Sequence, residues 1–231
     1  MGIRYSPQEL TDEASRWVRR EILADLVRCS FRQNQYADAG SQFRRLYLAD
    51  RTTRHIRLIP LLWDDTSIDS ETRTTAAAWL EDKEAVMRLI GASLLLRDPR
   101  FGQPAQDTLR ALASEPGQRV RLLASWQEWR LKQRSGEVSD LELARRETLV
   151  EELDKELRPG PWYLVAKAHL IRQEYDLASA AFLRLPLVHD TVHPMTPRAM
   201  LNAARALEQI GFRRQAQQLD QEVIDRYAWS P

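Results

Sequence analysis

The chain has 231 residues, 43% of them hydrophobic and 29% charged, enough to bury a large core without disulfides or metals. Thirty-four basic residues against 33 acidic leave a net charge of +1, which argues against a general nucleic-acid or membrane-surface binder. A single cysteine excludes an intrachain disulfide, and eight glycines leave little room for an all-β fold or a phosphate-cradling loop.

The opening MGIRYSPQEL carries neither the apolar stretch nor the small-residue cleavage site of a signal peptide, and no run of 18 apolar residues follows it. The chain therefore reads as soluble and cytoplasmic, or as periplasmic or secreted if a leader has been removed. Trp17, Val18, Ile22, Leu23, Leu26 and Val27 then recur at three- and four-residue spacing, the period of a helix. Cys29 lies within this stretch and is expected to be a buried thiol, not a nucleophile. Pro60 and the polar run Asp64 to Glu71 break the pattern. Asp64, Asp65, Asp69 and Glu71 lack the glycine turn of a calcium loop and read as a solvated linker favouring the next helix's N-terminus.

Val86, Leu89, Ile90, Ser93 and Leu94 resume the helical period, as do Val120, Leu123, Ala124 and Trp126. Between them stand the breakers Asp98-Pro99 and Glu115-Pro116-Gly117. Trp126 and Trp129 share one helix face and read as packed residues; a base-stacking platform is the sharper alternative. Ser135-Gly136 and the run Arg158 to Pro161 mark further breaks, and Ser139-Asp140 a helix start. The segment Pro186 to Pro197, with its three prolines, is the longest interruption. Within it His189 and His193 have the i,i+4 spacing of a zinc pair. A helix there would be short and no Glu accompanies them, so they are weak candidates, no metal is assigned and no cofactor is expected. Nucleotide-binding loops and serine-nucleophile elbows are absent from the sequence.

Placing Tyr36 on Tyr175 aligns 26–48 with 165–187 without gaps. Tyr36, Ala39, Phe43, Arg45, Leu46 and Leu48 then coincide with Tyr175, Ala178, Phe182, Arg184, Leu185 and Leu187. The offset, 175 − 36 = 139, is close to four steps of the length of a two-helix repeat.

Segment 162–182 resembles a tetratricopeptide repeat: Trp162, Val165, Ala166 and His169 stand in its first-helix pattern, and Ala178-x3-Phe182 in its second. Val, Ala and His replace the Leu, Gly and Tyr of that pattern, and His169 is expected in the core. Segment 198–227 is similar, with Ala204, Leu207, Gly211, Ala216 and Tyr227. Segment 20–48 keeps Tyr36, Ala39 and Phe43. The middle, 72–134, looks more like a HEAT-type repeat. The expected fold is all-α, a right-handed solenoid of about six helical hairpins in one domain, with sub-regions 1–62, 72–134 and 139–231.

That resemblance implies a non-catalytic scaffold that binds a peptide or partner protein on the concave face formed by the first helix of each pair. The face residues carried over are Lys167, Arg198, Asn202 and Arg205. Three cations with an amide among them suit a carboxylate, from an acidic peptide or a free C-terminus. The alternatives are a nucleic-acid-binding helical repeat, disfavoured by the near-neutral charge, and an α-helical metalloenzyme using His189 and His193.

Overall fold

The computed structural model describes residues 7–51, 54–133, 138–189 and 195–227, and among them there are eleven α-helices and no strand. The chain divides into two compact units, Met1–Pro60 and Leu61–Pro231.

In the first unit, α1 (Pro7–Arg32) and α2 (Tyr36–Ala49) form a hairpin followed by a short 3-10 helix, Arg54–Leu58. Only part of the apolar set on α1 faces this core. Leu23, Ala24 and Val27 are buried, whereas Trp17, Val18, Ile22 and Leu26 are exposed. Cys29 is exposed as well, which corrects the expectation of a buried thiol. It lies two positions past Val27, about 200° around the helix, and so leaves the buried stripe.

The second unit begins with an irregular segment, residues 61–66, and continues through α3 (Ser70–Leu80), α4 (Ala85–Leu95) and α5 (Gly102–Ser114). It then runs through α6 (Gln118–Lys132), α7 (Asp140–Glu151), α8 (Pro159–Ile171), α9 (Tyr175–Val188), α10 (Thr196–Gln209) and α11 (Arg213–Tyr227). Neighbours in sequence are neighbours in space: α3 packs on α4, α4 on α5, α5 on α6, and α8 to α11 pack each on the next. Helix α7 packs on α8 and reaches α6 through Arg146, whose guanidinium lies over the Trp126 and Trp129 rings. Where α3 crosses α4 the backbones approach closely; a Cβ on Gly91 would stand 2.7 Å from the Ala76 carbonyl oxygen.

Local sequence accounts for the helix boundaries. Asp69 caps α3, its carboxylate accepting the Thr72 amide at 2.6 Å, and Ser139 caps α7 through Glu142. Asp98 starts α5 by accepting the amides of Arg100 and Phe101 at 2.9 and 3.0 Å. Two expected breaks fall inside helices. Pro159-Gly160-Pro161 forms the first turn of α8, where a missing N–H costs nothing, and α9 continues through Pro186 to Val188.

Three hairpins share one turn. Asn34, Gln173 and Gly211 each adopt the left-handed conformation, with φ of 60°, 64° and 87°. The next amide, of Gln35, Glu174 or Phe212, returns to the carbonyl five residues back at 2.9, 3.0 and 2.9 Å. This is the Schellman closure of a helix C-terminus. The turn positions differ by 173 − 34 = 139 and 211 − 173 = 38 residues, the offsets between Ala39, Ala178 and Ala216, all three fully buried.

The helices recur at steps near the length of a two-helix repeat. Helices α2, α3, α5, α7, α9 and α11 begin at 36, 70, 102, 140, 175 and 213, so they follow one another at steps of 34, 32, 38, 35 and 38 residues. Five of the six come directly after another α-helix. Before α3 the chain is a 3-10 turn and an irregular segment, because Pro60 breaks the helix and the following peptide bonds to side chains instead.

Around α8 and α9, Trp162, Ala178 and Phe182 are all buried. The ring that meets Phe182 edge-on is that of Tyr163, with centroids 5.4 Å apart, while Trp162 carries the Arg184 guanidinium 3.9 Å above its ring. Ala178→Leu should overpack this contact and cost about 1–3 kcal/mol in urea unfolding. Its exposed neighbour gives the control: Leu177→Ala should cost less than about 0.5 kcal/mol.

Candidate functional site

Helices α4, α6, α8 and α10 all send polar side chains to the irregular segment 61–66. On α4, Ser93 is a polar residue on an otherwise apolar face. Its Oγ accepts the Leu62 amide at 2.9 Å and donates to Gln127 Oε1 at 3.0 Å. On α6, Gln127 Nε2 donates to the Leu62 carbonyl at 3.1 Å, and Arg130 Nη1 donates to the same oxygen. The amide and the carbonyl of one residue are thus both held by side chains.

Arg130 is 2% exposed and its other nitrogen, Nη2, donates to the Ser93 carbonyl at 2.9 Å. Burial first, and then the nearby Arg97 charge, push its pKa down to about 9. It is still protonated at neutral pH, with carbonyl oxygens as its acceptors.

The next residues of the segment engage α8 and α10. Trp63 is buried with its ring against Gly160, where a Cβ would come within 2.0 Å of Cε2. Glycine at 160 is therefore a steric requirement of the Trp63 seat. Asp64 accepts from Tyr163 Oη at 2.7 Å and from Lys167 Nζ at 2.8 Å. Arg198 Nη1 donates to Thr66 Oγ1 at 2.9 Å and stands 3.9 Å from Asp64 Oδ2. Asn202 Nδ2 donates to the Tyr163 oxygen at 3.0 Å, and Arg205 leans on Asn202 at 3.4 Å. Asp65 pairs with Arg97, just past the end of α4.

Burial alone would raise the Asp64 carboxyl. The Lys167 ammonium, the Tyr163 hydroxyl and the Arg198 charge outweigh it and hold the group below its ordinary 3.8. The same pairing, after burial, pushes the Tyr163 hydroxyl far up, so it stays a donor at all working pH.

Of the four residues expected on the ligand face, Lys167 and Arg198 stand against the chain's own Asp64, Asn202 bonds the Tyr163 oxygen, and Arg205 bonds only Asn202. The reading of Asp64 as solvated is corrected, since it is half-buried and paired with Lys167; Asp65 is exposed although it pairs with Arg97, and Asp69 does serve the next helix. Sequence reasoning missed Tyr163, Ser93, Gln127 and Arg130. The available signals were a serine within an apolar helical period and Leu-Leu-Trp-Asp-Asp, which follows no helical period.

The remaining candidates fall elsewhere. His169 is in the core, its ring nitrogens 2.7 and 3.0 Å from the carboxylates of Glu174 and Glu147. His189 ends α9; burial, then Arg158, lower its pKa. His193 lies outside the described residues. Among the described residues, no three His, Cys, Asp or Glu side chains are grouped to hold a metal. Trp126 and Trp129 are fully buried, edge to face at 5.4 Å, which removes the base-stacking alternative for that pair. No described helix is long and apolar enough to cross a membrane.

The described chain is thus an all-helical protein of adjacent packed helices, an arrangement consistent with a helical repeat. Comparison with protein-family models, with curated proteins and with solved structures returns no match.

Gly160→Ala should drive a methyl into the Trp63 ring and cost about 1–3 kcal/mol, read as a lowered urea midpoint. Acid titration supplies a second check. Because the folded pKa of Asp64 lies below 3.8, its contribution is complete above that value and is lost as pH falls through the folded one. Wild-type stability should fall below about pH 4, and Asp64→Asn should flatten that limb in a pH series of thermal melts.

Proposed function

We propose that the protein is a non-catalytic, tetratricopeptide-like scaffold that binds an extended peptide or partner segment along the first helices of its pairs. One observation carries the reading. Side chains of α4, α6, α8 and α10 already hold an irregular, non-helical stretch of polypeptide, gripping its main chain at Leu62 and its carboxylate at Asp64. Main-chain hydrogen bonds supply affinity in peptide recognition, and side-chain seats supply specificity.

The chemistry of the converging groups supports holding over reacting. Ser93, Gln127, Arg130, Tyr163, Lys167, Arg198 and Asn202 present donors to carbonyl, hydroxyl and carboxylate oxygens. Such a set fixes a peptide in register. Arg198 and Arg205 extend the basic edge past Thr66, where a further carboxylate of a partner would be bound bidentately.

Arg205 is exposed, so Arg205→Glu should leave the melting temperature within about a degree or two, as exposed charges contribute little. In affinity capture from the native lysate, the same variant should lose the partner that wild type retains. Undiminished capture by Arg205→Glu and by Arg198→Glu would remove the assignment of this face.

A further inference from the structure

Segment 61–66 is held in a manner unlike the rest of the fold. Its main-chain bonds in the seat go to side chains, and its other backbone bonds are local, Thr66 to Asp64 and Asp65 to its neighbour's carboxylate. No helical ladder includes it, so it can leave without unravelling a helix. The seat is polar as well as apolar. When the segment departs, Ser93, Gln127, Arg130, Tyr163 and Lys167 can be hydrated, whereas a wholly apolar seat would lose its burial outright. Arg130 is the most telling residue. A buried guanidinium with carbonyl acceptors, and with Nε unbonded, is a costly way to pack a linker. It is an effective way to catch a peptide carbonyl, whatever residue bears it.

We propose that the seat of residues 61–66 is a recognition site for a partner's extended segment of bulky apolar–Trp–Asp chemistry, and that the chain's own segment occupies it as a competing internal ligand. The inference rests on the peptide-binding reading above and names its partner's chemistry. Each position is met by its own group. The main chain one residue before the Trp is held by Ser93, Gln127 and Arg130; the Trp ring lies on Gly160, and the Asp carboxylate meets Tyr163 and Lys167. The tether matters quantitatively. A short linkage holds the internal segment at an effective concentration of about millimolar, so a free peptide of equal intrinsic affinity competes poorly until the internal copy is weakened.

The test uses the full chain and a fluorescein-labelled peptide of residues 59–67, IPLLWDDTS, in anisotropy titrations. The Trp63→Ala/Asp64→Asn variant should bind the peptide at least about tenfold more tightly than wild type, the gain expected from removing the tethered competitor. Replacing Trp or the following Asp in the peptide should weaken binding about tenfold or more, and so should adding Lys167→Ala to the variant. In wild type, millimolar peptide should speed hydrogen exchange at the Leu62 amide.

A double variant that keeps its helical circular dichroism but ignores the peptide, or binds a scrambled one equally, overturns the proposal. So does a double variant that unfolds, since an internal ligand must be removable from a folded protein. A concentration-dependent dimer of wild type that protects Leu62 would assign the seat to a second copy and overturn it too. If the peptide fails while Arg205→Glu still abolishes partner capture, the scaffold reading stands and only this occupant is lost.

Discussion

The peptide group between Leu62 and Trp63, with the Leu62 amide beside it, is where the polar chemistry of the second unit is concentrated. Ser93 from α4 and Gln127 and Arg130 from α6 all end on Leu62. Each of those side chains is buried, and without the segment Gln127 Nε2 and Arg130 Nη1 would both lose the Leu62 carbonyl as acceptor. Their mutual bonds link α4 and α6 around one residue, Leu62. Two residues later, Asp64 does the same for α8 and α10, through Tyr163, Lys167 and Arg198. Four helices that are not consecutive in sequence are thus brought into register by six residues of irregular chain. Consecutive helices, by contrast, need only their apolar faces and short turns.

Those turns carry the internal repetition more faithfully than the residue identities do. The left-handed position is Asn34, Gln173 or Gly211, and only the last is a glycine. A side chain in that conformation costs about 1 kcal/mol, and the bond from the following amide back across the helix end offsets it. In the first hairpin Tyr36 adds a hydrogen bond to Asn34 at 2.6 Å. The geometry is retained because it sets where the second helix begins, and hence which alanine meets the first helix. Ala39, Ala178 and Ala216 are each fully buried at equivalent places after that turn.

Arginine makes up 30 of the 34 basic residues, and the structure gives many of them work that lysine could not do. Arg158 covers the carbonyls of Leu153 and Glu151 near the end of α7 while pairing with the Glu151 carboxylate. Arg172 binds the Val138 carbonyl together with Asp140 and Glu174. Arg97 reaches both Asp65 and the Arg130 carbonyl. A planar fork of five donors can satisfy a helix's last carbonyls and a carboxylate at once. A net charge of +1 conceals this, because the charges are paired locally.

By itself the sequence determined the helical class, the helix starts at Asp69 and Ser139, and the correspondence of Ala39 with Ala178. Period and caps are local properties, legible without knowing what a helix packs against. The fate of Leu61 to Thr66 was decided only by tertiary structure. A short apolar-acidic run has no period to read, and Asp64 next to a helix start has the pattern of a solvated linker. What buries it is a hydroxyl 99 residues away on α8 and an ammonium 103 residues away. The exposure of Cys29, Trp17 and Ile22 was likewise beyond local pattern, because α1 has more apolar residues than the first unit's packed stripe uses. Which stripe is buried depends on the helix that arrives to cover it, and a sequence does not contain that geometry in any local form.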